Sequence, residues 1–245
     1  YYIPEQYPEI ADIIRRCMSL GFTSFILADP ALMEYLNEQK IICEIHLSGE
    51  IGEVNSRMLS VFRKYPVQRL IFHRKNSFSD MESVVKHGKN PGDKAGKRER
   101  VITEYEAFVM NELCHFSGAF CNSLHCDELG YLCRVPYRLG QEADCPGKQK
   151  RFTEEIPERL PYDEEGYLCG ATGCGLCALY QLQRAGITHL KLVGRGNYTD
   201  YMEKDIRNLR MALNILRESA DEMEFRRKLK LQIFPSGCSK NCYYR

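Results

Sequence analysis

Apolar positions in the first third of the chain alternate between two periods. Ile10, Ile13, Ile14 and Cys17 fall at helical spacing within residues 5–20, and Gly21 supplies a stop, so an amphipathic helix is predicted there. Residues 23–28 (TSFILA) form an apolar run of strand length, 31–39 return to helical spacing, and 41–47 (IICEIHL) predict a second strand. Val54, Met58, Leu59 and Phe62 place a further helix over 53–63. Then come a strand at 69–73 (RLIFH), a short helix over 79–85 and a strand at 105–110 (YEAFVM). After a long aperiodic stretch the pattern resumes with a helix over 176–185, a strand at 189–193 and a helix over 200–220.

Short buried strands alternating with helices imply βα units and a parallel sheet. The right-handed crossover rule leaves an open doubly wound sheet or a closed barrel, and the absence of a Gly-rich phosphate loop after any strand speaks against the dinucleotide-binding version. Residues 86–100 (KHGKNPGDKAGKRER) carry six Lys/Arg against two acidic residues, with three glycines and a proline. They read as a solvated surface insertion, with contact to a polyanion as the alternative.

Composition narrows the class. A chain of 245 residues, 44% hydrophobic and 27% charged, can bury one sizeable core, and a net charge of +1 argues against a general nucleic-acid binder. No apolar run approaches 18 residues and no signal-peptide pattern is visible, so no membrane span and a cytoplasmic location are expected.

Twelve cysteines change the picture most. A secreted disulfide scaffold would be short and poor in amphipathic structure, whereas this chain is long and periodic. Cys17 and Cys43 sit in apolar surroundings, as small core residues do. The other ten begin at Cys114, where periodicity fails. Cys114 and Cys121 would stand about 10.5 Å apart along a straight helix, so joint ligation needs a bend, which Gly118 permits. Cys126, Cys133, Cys145, Cys169, Cys174 and Cys177 follow, the last two as a C-x-x-C before a helix, where thiolate is favoured. Clustered thiolates select zinc or iron–sulfur centres, and irregular spacing suits a four-cysteine iron–sulfur cluster better than a zinc ribbon.

These residues carry a resemblance. Residues 105–121 (YEAFVMNELCHFSGAFC) are similar to the signature of the collagenase-like peptidase family: a Glu-x-Phe-Val strand, then two cysteines six residues apart with Tyr/Phe-Ser-Gly between. Cys133-Arg134 with Tyr137 resembles its Cys-Arg-x-x-Tyr. Residues 185–195 (AGITHLKLVGR) resemble its Ala-Gly-Ile…Leu-Lys-Ile-Glu-Gly-Arg strand, with Val193 in place of Glu. GFTSFILADP and RLIFHRKNS match its barrel strands, while Met110-Asn111 replaces its His-Gly. The resemblance spans residues 8 to 217.

It implies an α/β fold, a (β/α)8-type (TIM-like) barrel lacking its first βα units in this chain. The division would be a partial barrel over 1–113, a cysteine-rich excursion over 114–161, closing βα units over 162–220 and a C-terminal tail over 221–245. It implies a 4Fe–4S cluster on Cys114, Cys121, Cys133 and Cys174, with zinc as the alternative metal. Cys126 and Cys145 compete for the third position, and Cys177 rivals Cys174. Family branches with such a cluster carry out oxygen-independent hydroxylation of RNA bases or of a quinone precursor, with a dicarboxylate such as prephenate as oxygen donor. Other branches are peptidases. A peptidase with structural cysteines, and a non-catalytic metal-binding subunit of a pair, are therefore the competing expectations.

His46 ends a strand, where polar residues of barrels meet ligands. Arg74, Lys191 and Arg195 would gather cations at one barrel mouth to receive a dicarboxylate, the bland alternative being ion pairs with helix carboxylates. Glu106 is the candidate acid–base group. No Ser/His/Asp or His-Glu-x-x-His pattern is visible, which lowers the peptidase reading.

Overall fold

The structure, a computed structural model, describes residues 2–89, 102–111, 163–194 and 198–244. Its strands β1 Ser24–Leu27, β2 Glu44–Leu47, β3 Val67–Ile71, β4 Glu104–Met110 and β5 His189–Leu192 fall on the five predicted ones. They form one sheet in the order β1-β2-β3-β4-β5, and every neighbouring pair is parallel. Each strand lies beside its predecessor in sequence, as in a (β/α)8 barrel and unlike the reversing order of a doubly wound sheet. Among the described residues β1 and β5 are not paired with each other. The arrangement is a mixed α/β fold with a parallel five-strand sheet, compatible with a TIM-like barrel.

The described helices are α1 Tyr7–Ser19, α2 Pro30–Glu38, α3 Met58–Phe62, α4 Phe78–Lys89, α5 Leu179–Arg184, α6 Thr199–Arg217 and α7 Glu222–Ile233. Local chemistry sets their starts. Asp29 caps α2 by accepting from the Ala31 and Leu32 amides, and Pro30 pre-sets the first helical turn. Asp221 accepts from the Glu224 amide at 2.8 Å while the Glu224 carboxylate accepts from the Ala220 amide at 2.7 Å, a reciprocal cap on α7. The stretch expected as a tail from residue 221 thus opens with a capped helix.

Two helices depart from the sequence expectation. The α3 helix begins at Met58 rather than Glu53. The Asn55 side chain takes the Arg57 and Met58 amides, and Val54 is held by both ends of the Asn76 amide group. Those bonds give the backbone an alternative to an earlier helical turn. The α4 helix runs on through the start of the basic stretch to Lys89. Gly88 makes this possible, because a Cβ there would lie 1.8 Å from the Tyr105 hydroxyl. The remainder of that basic stretch, 90–100, lies outside the described residues.

One sheet face carries the main core. Ile45, Leu47, Val67, Leu70, Tyr105 and Ala107 pack in a single cluster with Ala11 and Ile14 of α1, Leu32 and Leu36 of α2, Leu59 of α3, Val84 of α4 and Leu182 of α5. Each buried Val, Leu or Ile side chain there contributes on the order of 2 kcal/mol by leaving water. A second cluster joins Val109 and Met110 at the end of β4 to Leu176, Ala212 and Ile215 of the closing units and to Phe225 and Leu229 of α7. The opposite sheet face is therefore free for polar residues.

Candidate functional site

Strand alternation puts Glu44 and His46 of β2, Arg69 of β3, Glu104, Glu106 and Phe108 of β4, and His189 and Lys191 of β5 on the face turned away from that core. They form a ladder of charge. His46 Nε2 lies 2.8 Å from Glu44 Oε1. Arg69 reaches Glu104 at 2.7 Å through Nε and Glu106 at 2.9 Å through Nη1. Lys191 Nζ stands 3.6 Å from the other Glu106 oxygen, and His189 Nε2 stands 4.0 Å from Glu104. The hydrogen bond from Arg69 holds the Glu104 carboxyl below its usual range. Glu106 is the hub, a buried carboxylate between two cations from flanking strands.

Beyond β3 the chain turns through His73 and Arg74, both buried. The turn after β2 packs tightly here: a Cβ on Gly49 would lie 2.9 Å from the Phe72 carbonyl oxygen. That approach carries Glu50 to Arg74 Nη2, at 3.3 Å. The Arg74 guanidinium lies 4.7 Å from the centre of the Phe108 ring, and Lys191 Nζ lies 5.4 Å from it. Arg74 Nε and His73 Nε2 are buried with no hydrogen-bond partner among the described residues. His73 Nδ1 accepts the Lys75 amide at 3.2 Å, so its proton resides on Nε2. Burial first, and then neighbouring Arg74, lower the His73 pKa and keep the ring neutral. Two buried donors thus lack acceptors beside a cation-faced aromatic ring.

The C-terminal tail closes over this end of the sheet. Tyr243 joins Ile71 and Phe108 in a small apolar cluster, with Tyr244 against it. The Tyr244 hydroxyl donates to the Phe108 carbonyl at 2.8 Å, and the Tyr243 hydroxyl donates to the Asn111 carbonyl. Asn111 takes a positive φ of 67° at the close of β4. Its amide donates to buried Asp205 of α6 at 2.7 Å, which also accepts from the Tyr167 hydroxyl at 2.7 Å. Burial raises the Asp205 pKa.

A thiol group adjoins the tail. Cys174, Cys177, Cys238 and Cys242 line one pocket of about 40 Å³, together with Gly175, Phe234 and Tyr244. Cys174 and Cys242 are partners in an isolated parallel bridge. The Cys174 amide donates to the Asn241 carbonyl at 2.8 Å, and the Tyr243 amide donates to the Cys174 carbonyl at 2.9 Å. Cys169 is buried nearby, and all five thiols are free. Burial raises the Cys174 pKa, with Cys169, Cys177 and Cys242 adding to the rise. Burial likewise pushes Cys169 up to about 12. As the side chains stand, no three Cys, His, Asp or Glu among the described residues are placed to hold a metal ion. A roomier open groove on α7, lined by Glu222, Met223, Arg226, Arg227 and Lys230, carries no thiol.

Of the residues singled out from sequence, His46, Glu106 and Lys191 share the polar face, and Arg74 stands beside Phe108 at its end. Arg195, Cys114, Cys121 and Cys133, with the rivals Cys126 and Cys145, lie outside the described residues. Cys17 and Cys43 lie in or beside the apolar helix-packed half, Cys43 buried and Cys17 partly so. Sequence reasoning missed Arg69, Glu104 and His189. Their signal was available, since E-Y-E and H-L-K alternate charge with apolar residues. It also missed Cys238 and Cys242, although GCSKNC spaces two thiols closely. The Asn111–Asp205–Tyr167 network had no such signal.

The model of peptidase family U32 matches residues 1–245, the whole chain, and the chain belongs to that family. No curated protein matches it, and no solved structure does.

Proposed function

From membership of peptidase family U32, we propose that the chain is an enzyme that binds a small dicarboxylate on the polar sheet face and uses it in oxygen-independent hydroxylation of an RNA base or a quinone precursor. The observation that carries this reading is Arg74: buried, over the Phe108 ring beside Lys191, with its Nε donor unpartnered among the described residues. An anion arriving there gains charge-assisted hydrogen bonds from a guanidinium that is already largely buried. Lys191 supplies a point charge to a second carboxylate, and Glu106 accepts or returns a proton at its Lys191-facing oxygen. Neutral His73, with its proton on Nε2, is a further donor to the bound anion.

The family resemblance adds an iron–sulfur cluster, which when bound would supply electron transfer. Cys114, Cys121 and Cys133 are its assigned thiolates. Cys174 is the fourth, with Cys177 as its rival, while Cys126 and Cys145 compete with Cys133 for the third position.

Anaerobic purification with iron, sulfide and zinc analysis tests the cluster. Iron and sulfide in comparable amounts are expected, and zinc without sulfide would sink that part of the reading. Calorimetric titration with prephenate tests the anion site. Arg74→Met and Lys191→Met should each weaken binding by about tenfold or more, the loss of one charge-assisted contact. Unchanged binding in both variants would remove the site from the polar face. Hydrolysis of a peptide panel by the same protein would instead favour the peptidase branch.

A further inference from the structure

We propose that buried Asp205 of α6 is a positioning residue: by holding Asn111 at the close of β4, it seats Tyr243 against Phe108 and so shapes one wall of the anion site. Its effect on binding rests on the anion reading, whereas its effect on the tail rests on the geometry alone.

A carboxylate is costly to bury, and Asp205 lies on the packed face of α6, only 2% exposed, with Ala212, Ile215 and Leu216 further along that face. Donors converge on it. The Asn111 side-chain amide donates to Oδ2 and the Tyr167 hydroxyl donates to Oδ1, each at 2.7 Å. Tyr167 in turn accepts from the Asn208 amide group at 2.9 Å, which leaves its phenolic proton to Asp205. The carboxylate is thus a fixed anchor for whatever Asn111 carries.

Asn111 needs an anchor. Its φ of 67° is a left-handed conformation that a residue other than glycine keeps only where its surroundings hold it. The Thr172 hydroxyl donates to its side-chain oxygen at 3.4 Å, and its backbone amide donates to the Gly173 carbonyl at 2.9 Å. The bond to Asp205 is the short, charge-assisted one among these.

The direction of the Asn111 carbonyl then decides where the tail lies. Tyr243 donates to that carbonyl from 132 positions further along the chain. Its ring centre lies 6.5 Å from that of Phe108, the ring faced by Arg74 at 4.7 Å and by Lys191 at 5.4 Å. Tyr244 follows, donating to the Phe108 carbonyl. If Asn111 leaves the left-handed region, its carbonyl swings away from Tyr243. Phe108 then loses the ring packed against it, and the two cations lose a fixed platform. Asp205 acts through Asn111 rather than on the anion.

Hydrogen exchange read by mass spectrometry on the full chain follows the tail without any ligand, and calorimetric titration with prephenate follows the site. The reporter is the Tyr243 amide, which donates to the Cys174 carbonyl at 2.9 Å. Asp205→Ala should speed its exchange by about tenfold, the loss of one charged hydrogen bond, while β2 and β3 keep their wild-type rates. Prephenate affinity should fall with it. Adding Asn111→Gly to Asp205→Ala should restore both readouts, because glycine takes the same φ without being held. Tyr243→Phe, which spares α6, should loosen the tail as Asp205→Ala does. Exchange that rises as much in β2 and β3 as in the tail would make Asp205 merely structural and overturn the proposal. So would a double variant no better than Asp205→Ala, a tail that stays protected in Tyr243→Phe, or a loosened tail with unchanged prephenate affinity. No prephenate binding by the wild type would sink the anion reading alone, and the exchange pattern would still decide whether Asp205 seats the tail.

Discussion

Two polar regions meet near the end of β4, and they solve the same problem in opposite ways. On the sheet face each buried charge is answered by another: Glu106 by Arg69 and Lys191, Glu104 by Arg69. In the thiol pocket the cysteines are free of disulfides and line one small space, and burial raises the pKa of Cys174 and Cys177. The ladder is complete as folded, and a ligand entering it must compete with internal partners. The pocket instead gathers thiols from two distant stretches, the loop before α5 and the C-terminal tail. Arg74 stands between the two regimes, with one long ion pair to Glu50 and one unused donor.

The largest expected effect comes from opening the ladder at its hub. Glu106→Ala leaves Lys191 without its carboxylate and removes half of the Arg69 pairing, at a cost of about 4 kcal/mol. Urea unfolding measures it, and a loss below about 1 kcal/mol would mean that the ladder is no more than a surface ion-pair array.

A smaller effect separates the anion site from both. Gly49→Ala drives a Cβ to within 2.9 Å of a backbone oxygen, and backbone cannot swing aside. About 2 kcal/mol of destabilisation is expected from the overpacking. Because Glu50 and Arg74 shift with it, prephenate affinity should fall.

The smallest effect is in pH. The folded pKa of Glu104 lies below its ordinary value because Arg69 donates to it. Its contribution is therefore present above about pH 4.5, the unfolded value, and is lost as pH falls through the lowered folded pKa. Glu104→Gln should flatten that acid limb by about 0.5 kcal/mol, as suits a partly exposed pair. Denaturation midpoints between about pH 3 and pH 7 would show it, and an unchanged acid limb would exclude the Arg69–Glu104 bond as its source.

Much of this molecule was decided within short stretches of chain. Short apolar runs in RLIFH and YEAFVM and helical spacing around Ile10, Ile14 and Leu59 depend only on which side chains can leave water together, so the alternating parallel architecture was legible from sequence. The family signature likewise lies in contiguous residues, and the whole-chain family match agrees with it. The placement of Glu106, His46 and Lys191 on one face followed from strand register, which alternation implies once the strands are known. Only the tertiary structure paired Arg69 with two glutamates, stood Arg74 on Phe108, and laid Cys238 and Cys242 beside Cys174. Those contacts join residues 34 to 68 positions apart. No local preference encodes them, because their partners are chosen by how the packed core brings distant backbones together.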